Sequence, residues 1–395
     1  MKRFTADFET CTWLKDETYV WAWAVCEIGN EENIKIGNNI DSFIKYCLEN
    51  KNSIFYFHNL KFDGEFIIYW AFKHGFRHVE NIKDVESKTF TTLISDMGQF
   101  YSITLYFHKK GKHIIKLTFI DSLKILPFSV KDIAKSFDLP LSKLEIDYNK
   151  PRKKGHPLTK QEQEYITNDV KIVALALNYM FKQNLTKMTI GSNALGNYKE
   201  IITKRKFKHY FPLLEGDLDE DLRKAYRGGF TYLNPIYKEK DVENVVNLDV
   251  NSLYPSVMVS ALLPFGEPVF FEGEYKKDDV YPLYIQMITC TFKVKKNHIP
   301  TIQIKKNPIF IENEYIEDSG VEPVCLVLTN IDLQLFKDHY DIEDLTYNCG
   351  WKFKGVHGLF NDYINKWIKL KNEATLTGNK ALRSLAKLLL NSLYR

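Results

Sequence analysis

The chain has 395 residues, with 54 Lys and Arg, 50 Asp and Glu, and a formal net charge of +4. This length argues against one compact domain and indicates two or three domains with buried cores, while so small a net charge does not by itself indicate a nucleic-acid partner. The six cysteines include no pair at zinc-binding spacing, which excludes a structural zinc site and favours a reducing, cytoplasmic location. No uncharged apolar run reaches membrane-spanning length, which excludes a membrane span.

In chain order, short aromatic and β-branched runs alternate with helical patterns through the first part of the sequence. Strands are predicted over residues 4–8, 19–26, 53–57 and 117–120, and helices over residues 41–48, 64–72 and 159–181. This alternation predicts an α/β domain that ends near Gly191. A strand over 244–250 then opens a second unit, residues 261–357 are expected to form an inserted, mostly β subdomain, and residues 359–394 are expected to form two helices.

Acidic side chains are placed at the ends of several of these elements. Asp7 and Glu9 alternate along the first predicted strand and therefore share one face. Asp63 follows the break of strand 53–57 and lies near the start of the next helix. Taken singly, each pattern also fits a solvent-facing carboxylate or one that complements a helix dipole.

The predicted helix over 159–181 carries the third acidic motif. Thr159 and Glu162 form a Thr-x-x-Glu capping box that sets the start of this helix. Tyr165 and Asp169 are four residues apart and fall on one helical face. An amphipathic helix with an ordinary polar face is the plain alternative.

Together, these motifs predict a two-metal phosphodiesterase site that holds Mg²⁺ or Mn²⁺. We assign Asp7 the bridging position between the two ions and give Glu9, Asp63 and Asp169 the remaining ligation. Tyr165 is expected to orient the attacking water through its hydroxyl group.

A second site is predicted to begin at Asp249, at the end of a buried strand. Asp249 can hold a metal ion, and Tyr254 can lie beneath the sugar of an incoming nucleotide and exclude a ribose 2′-OH. Upstream, Tyr226, Gly228 and Gly229 combine an aromatic ring with close backbone approach, which suits contact with a DNA strand. A core aromatic and a plain Gly-Gly turn are the alternatives.

The last predicted helix has a basic face. Arg383, Lys387 and Asn391 recur at intervals of four and share a face with Tyr394, opposite a leucine-rich stripe. Two ordered cations on one face suit a triphosphate. A surface helix with solvated basic residues is the alternative.

In these motifs the chain resembles the protein-primed family B DNA polymerases of phages and linear plasmids, which use a terminal protein. The resemblance covers essentially the whole chain and includes seven motifs in the family's order. Three exonuclease motifs lie at Asp7-x-Glu9, Asn59 to Asp63 and Tyr165-x-x-x-Asp169, and the single-strand contact motif lies at Ser122-Leu123. The others are Tyr226-x-Gly228-Gly229, polymerase motif A over Asp249 to Pro255, and polymerase motif B over Lys387-x-x-x-Asn391-Ser392-x-Tyr394.

The resemblance implies an α/β fold with a ribonuclease H-like 3′→5′ exonuclease domain over residues 1–190. It further implies a first part of the palm over 191–260, a terminal-protein-region insertion over 261–357, and helical fingers over 358–395. It implies DNA, a terminal protein and dNTPs as partners, in the cytoplasm of a host cell.

The resemblance also assigns roles to single residues. Lys143 becomes a further catalytic helper in the exonuclease site, and Val250 joins Asp249 at the polymerase metal. Contact with the 3′ end of single-stranded DNA is assigned to Thr10, His58, Asn59, Phe62, Ser122 and Leu123. Binding of the incoming nucleotide is assigned to Ser252, Leu253, Tyr254, Lys371, Arg383, Lys387, Asn391 and Tyr394.

The sequence departs from the family at its end. Arg395 stands where motif B continues with glycine, and the Asp-Thr-Asp motif that supplies the second polymerase carboxylate does not occur. We therefore expect exonuclease activity from this chain alone. Three readings stay open: part of a polymerase completed by a separate C-terminal fragment, a stand-alone 3′→5′ exonuclease, and a non-catalytic module that binds DNA or terminal protein.

Overall fold

The computed structural model describes residues 2–14, 17–250, 252–303 and 315–394. Asn251 of motif A and the terminal Arg395 lie outside these described residues. The chain divides into two compact units, one of Met1–Tyr198 together with Asn365–Arg395 and one of Lys199–Ile364. None of the helices in the described ranges combines the length and the apolar character needed to span a bilayer.

The first unit is built on a mixed eight-stranded sheet with strand order β3-β2-β1-β4-β8-β7-β6-β5. Strand β1 lies inside it, antiparallel to β2 and parallel to β4, which is in turn parallel to β8. The strands are β1 Arg3–Thr10, β2 Val20–Glu27, β3 Asn30–Gly37, β4 Ile54–Phe57, β5 Arg77–His78, β6 Thr89–Ile94, β7 Phe100–Lys110 and β8 His113–Asp121. Its helices are α1 Ile40–Glu49, α2 Leu60–Lys73, α3 Val130–Ser136 and α4 Lys160–Lys182.

Strand β1 is buried along almost its whole length because both faces of this sheet are covered. Phe4 and Phe8 pack into a core with residues of α1 and α2, and the opposite face packs against α4. The Thr5 hydroxyl donates to the Val170 carbonyl oxygen of α4 at 2.8 Å. This fixes α4 against the face of β1 from which Asp7 and Glu9 project.

The sequence predictions for this unit are confirmed, since each predicted strand and helix overlaps an observed one. The predicted capping box at α4 is also present: the Thr159 hydroxyl accepts from the Glu162 N–H, and the Glu162 carboxylate accepts from the Thr159 N–H. Strands β3, β6 and β7 were not predicted.

The two helices predicted near the end of the chain are α10 Asn361–Leu376 and α11 Lys380–Leu390. Within the first unit, α11 is tied to α3: the Ser384 hydroxyl donates to the Ser136 carbonyl oxygen at 2.9 Å. Lys380 pairs with Asp138 at 2.7 Å. Helix α11 is amphipathic, with its leucines buried.

The second unit confirms a mostly β segment over 261–357. Its four-stranded antiparallel sheet has the order β11-β10-β12-β9, and helix α9 contacts it. Phe292, Phe336 and Tyr340 form the aromatic centre of its core. The elements are α5 Ile190–Ile202, which spans the division, α6 Lys204–Tyr210, α7 Gly216–Lys224, α8 Leu253–Ser260, β9 Leu263–Glu272, β10 Leu283–Val294, β11 Val324–Thr329, α9 Asn330–His339 and β12 Tyr340–Val356.

The predicted buried strand over 244–250 is wrong. No helix or strand forms there, and Val245, Val246 and Leu248 are 71%, 79% and 88% exposed. An apolar run becomes a strand only when a neighbouring strand accepts its backbone hydrogen bonds. Within the described residues, no strand pairs with this segment, so Asp249 stands on an exposed, irregular stretch.

Candidate functional site

The site begins on β1, where Asp7 and Glu9 project from the same face. Phe8 between them points into the core, packed edge-on against Phe43 and Phe57. Glu9 is 7% exposed and therefore nearly cut off from solvent. The alternation predicted from the sequence thus places two carboxylates side by side at the α4 face.

Asp63 reaches the same place from the start of α2. The chain leaves β4 at Phe57, turns at Asn59 with a φ of 81°, and enters the helix at Leu60, which puts Asp63 in the first turn. Its carboxylate is buried, and the nearby backbone of Phe8 opposes the rise in its pKa. The charges of Asp7 and Glu9 act on Asp63, so the start of α2 brings it close to the first two carboxylates.

Helix α4 supplies Tyr165 and Asp169 on one face, as predicted. Asp169 is 5% exposed and lies 3.4 Å from the Lys143 ammonium group. The Tyr165 hydroxyl lies 2.5 Å from the hydroxyl of Tyr148. The structure therefore brings together the predicted carboxylates, Tyr165 and Lys143, and adds Tyr148, which the sequence analysis missed.

The electrostatics show that the carboxylates form one cluster. Burial, reinforced by Asp169, raises the pKa of Asp7 to about 7, and burial together with Asp7 and Asp169 raises the pKa of Glu9 to about 9. Burial, and then Asp7 and Glu9, raise the pKa of Asp63 well above its ordinary value. Burial raises the pKa of Asp169 against the opposing effect of Lys143. One lysine does not compensate this buried negative charge.

The donor set fits hard divalent cations, which prefer carboxylate oxygen. Asp63 Oδ1 and Asp169 Oδ1 are buried and have no hydrogen-bond partner. A cavity of about 130 Å³ is lined by Asp7, His58, Lys143 and Asp169 among others. In the described ranges no three Asp, Glu, His or Cys side chains stand as a formed metal site. Metal binding therefore stays a prediction.

The residues assigned to the 3′ end of single-stranded DNA gather around the end of β4. His58 Nδ1 lies 3.0 Å from the Ser122 hydroxyl, and its Nε2 lies 2.7 Å from the Phe128 carbonyl oxygen. Burial lowers the pKa of His58. The Ser122 hydroxyl donates to the Phe57 carbonyl oxygen at 3.0 Å. His58 and Ser122 thus hold each other in place.

Asp121 is a second residue that the sequence analysis missed. Its buried carboxylate accepts from the Asn59 and Leu123 N–H groups at 3.1 and 2.9 Å, so one side chain joins two predicted contact motifs that are far apart in sequence. Phe62 is 50% exposed and available for stacking, whereas Thr10 is buried at the end of β1.

Several residues assigned to polymerase chemistry lie on the exposed stretch before α8 or at the start of this helix. Asp249 and Val250 lie on the exposed stretch, and Ser252 has a φ of 56° before α8, which begins at Leu253. Tyr254 is 47% exposed. All of these belong to the second unit.

The glycine motif is also part of the second unit. A Cβ atom added to Gly229 would lie 4.0 Å from the Tyr254 hydroxyl, and one added to Gly228 would meet open space. Tyr226 is 69% exposed. Arg227, which lies between Tyr226 and Gly228 in the sequence, donates to the carbonyl oxygens of Gln303 and Val327. The structure therefore places Gly229 near the Tyr254 hydroxyl group.

The basic residues assigned to the triphosphate belong to the first unit. Arg383 and Lys387 are exposed on α11, Asn391 caps its C-terminus, and Tyr394 follows. Lys371 is half-buried on α10. The predicted common face of Arg383 and Lys387 is thus present and open to solvent.

Comparison with known proteins identifies the family. The model for DNA polymerase type B, organellar and viral, matches residues 44–156 and 145–394. The DNA polymerase of Bacillus phage M2 is 50% identical over 393 residues, and that of Bacillus phage phi29 is 48% identical over 393 residues. In both cases the match covers 100% of this chain and 67% of the relative. The DNA polymerase of Streptococcus phage Cp-1 is 33% identical over 415 residues.

Solved structures agree with the sequence comparison. The orthorhombic crystal form of phi29 DNA polymerase superposes with a TM-score of 0.91 at 46% identity, covering 100% of this chain and 67% of that one. The phi29 polymerase in complex with single-stranded DNA gives a TM-score of 0.89 with the same identity and coverage. The chain, which spans about two thirds of these relatives, belongs to the organellar and viral family of type B DNA polymerases, in the protein-primed group that its motifs predict.

Proposed function

We propose that the first unit is a 3′→5′ exonuclease that removes nucleotides from the end of single-stranded DNA. The observation that carries this proposal is the cluster of Asp7, Glu9, Asp63 and Asp169, in which the last three are buried, all four pKa values are raised, and two carboxylate oxygens have no hydrogen-bond partner. A buried cluster of this kind is costly unless cations join it. A 3′ end bound at Phe62 and His58 would enter beside it.

The chain's own residues account for binding and orientation. Divalent metal ions, when bound, would supply a hydroxide nucleophile and stabilise the leaving 3′ oxygen. Burial and the charge on Glu9 raise the pKa of Tyr165, so Tyr165 stays a neutral phenol that can orient a water molecule. Lys143 neutralises part of the charge on Asp169.

Directional degradation tests this proposal. With Mg²⁺ or Mn²⁺, a 5′-labelled single strand should give a ladder that shortens from the 3′ end, and a circular single strand should stay intact. A 3′-terminal phosphorothioate should slow the first step. Cutting of the circle would indicate an endonuclease, and no cutting of any substrate would favour the non-catalytic reading.

We further propose that the whole enzyme is a DNA-directed DNA polymerase primed by a terminal protein, with a palm over 191–260, an insertion over 261–357 and fingers over 358–395. The matched phi29 structures include a complex with primer-template DNA and incoming nucleotides, which supports DNA and dNTPs as substrates here. Asp249 and Val250 would hold metal, and Tyr254 would contact the sugar. Asp249 alone does not complete a two-metal site, so we propose that a further polymerase segment supplies the second carboxylate.

The basic face of α11 gives a specific prediction. Lys387→Ala should weaken dNTP binding roughly 10- to 100-fold, because charge-assisted hydrogen bonds contribute about 1.5–3 kcal/mol. Binding should be measured on the chain assembled with the further polymerase segment proposed above. Lys369→Ala, which removes an exposed lysine paired with Glu373 on α10, is the control. Equal affinity of Lys387→Ala and the parent would exclude this assignment.

A further inference from the structure

The segment over residues 139–159 carries two side chains of the carboxylate site but contains no helix or strand. Lys143 reaches Asp169 from it, and Tyr148 reaches Tyr165. An irregular segment of this length has many accessible conformations, and ordering it costs conformational entropy. Specific contacts must therefore hold it in place if it is to position functional groups.

Arg152 provides the central contact of this segment. Its side chain is 2% exposed, its Nε donates to Glu162 Oε1 at 2.7 Å, and its guanidinium lies over the Trp21 ring at 4.4 Å. One terminal nitrogen of Arg152 donates to the carbonyl oxygens of Asp147 and Lys150, both at 2.9 Å. The backbone on either side of Tyr148 is thus fastened to a single guanidinium group.

Glu162 joins this guanidinium to α4. It is 3% exposed, and its two carboxylate oxygens bind different partners. Oε1 binds Arg152, while Oε2 accepts from the Thr159 N–H and lies 2.9 Å from His156 Nε2. Tyr165 follows Glu162 by three residues and lies on the same side of the helix. One carboxylate therefore caps the helix that presents Tyr165 and anchors the segment that presents Tyr148.

We propose that the buried Arg152–Glu162 ion pair is a positioning device for the exonuclease reaction, which holds Tyr148 against Tyr165. This inference rests on the exonuclease function proposed above. Arg152 and Glu162 are positioning residues, because their contacts reach the site through Tyr148 and the start of α4.

Stability alone does not explain this pair. Desolvation of two buried charges offsets much of their attraction, and apolar residues of similar size often replace such a pair without loss of stability. Apolar residues cannot, however, donate hydrogen bonds to the carbonyl oxygens of Asp147 and Lys150. Directional bonding to the backbone beside Tyr148 is what this pair specifically provides.

The test replaces the pair by apolar residues in the full 395-residue chain. Arg152→Met/Glu162→Leu should keep its melting temperature within a few degrees, but its single-turnover rate on a saturating 3′-ended single strand should fall about 100-fold, as expected for misplacement by roughly 1 Å. The matched control is Lys160→Met/Glu164→Leu, which removes an exposed pair at 3.9 Å on the same helix and should cleave at the parental rate.

A double-mutant comparison separates positioning from a general structural effect. Tyr148→Phe should slow the parent about tenfold, since the hydroxyl contact with Tyr165 is lost, but should change the rate of Arg152→Met/Glu162→Leu by less than about twofold. If the apolar variant does not fold, Glu162→Gln serves instead, because glutamine keeps the helix cap and removes the charge.

The outcomes are distinguishable. Parental rates in the apolar variant, or an undiminished effect of Tyr148→Phe within it, would overturn the positioning role while leaving the exonuclease intact. Loss of rate only in proportion to lost folded protein would also overturn it. Cleavage that survives Asp7→Ala/Glu9→Ala would instead refute the proposed site itself.

Discussion

Asp7→Ala/Glu9→Ala should lower the rate of 3′-end degradation by on the order of a thousandfold or more, because both side chains are predicted to hold the ions that activate water. Glu9 is nearly buried and its pKa is raised by burial and by Asp7 and Asp169, so the two residues act within one cluster. The rate should be measured with a 5′-labelled single strand at saturating Mg²⁺ or Mn²⁺.

The matched control removes two exposed carboxylates from the same unit, as in Glu80→Ala/Asp96→Ala. This variant has the same change in net charge and should degrade DNA at the parental rate. A double mutant at Asp7 and Glu9 that remains folded and cuts as fast as the parent would show that the site lies elsewhere. Equal losses in both variants would point to a nonspecific effect of charge.

Without divalent metal, the first unit should become less stable as the pH rises from about 6 to 8. A carboxyl group whose pKa is raised by folding binds its proton more tightly in the folded state, so its stabilising contribution is lost as the pH increases through the folded pKa. The pKa of Glu9 is raised from 4.5 to about 9, which corresponds to roughly 2–3 kcal/mol over this pH range. The raised pKa values of Asp7 and Asp63 act in the same direction.

Thermal unfolding with EDTA measures this effect. The melting temperature should fall by roughly 4–8 °C between pH 6 and pH 8, and Mn²⁺ should restore more stability at pH 8 than at pH 6, because ions bind the deprotonated carboxylates. Glu9→Gln should reduce both the pH dependence and the response to Mn²⁺, whereas Glu80→Gln should change neither. A parental pH profile in Glu9→Gln would contradict the raised pKa of Glu9.

Local patterns in the sequence determined most of the first unit and the core of its site. The period of two in β1 placed Asp7 and Glu9 on one face, and the helical period of α4 placed Tyr165 with Asp169, because these periodicities follow from backbone geometry alone. The capping box was predictable for the same reason: Thr159 and Glu162 are three residues apart and satisfy each other.

Contacts between distant segments were decided only by the tertiary structure. Tyr148 and Asp121 carry no local signature, and they meet Tyr165 and Asn59 across 17 and 62 residues. The partnership of Arg152 with Glu162 is also invisible in sequence, since nothing in an irregular segment predicts which side chain turns inward. Residues 244–250 show the converse: their apolar, β-branched pattern predicted a strand, but a strand forms only where a neighbouring strand pairs with its backbone.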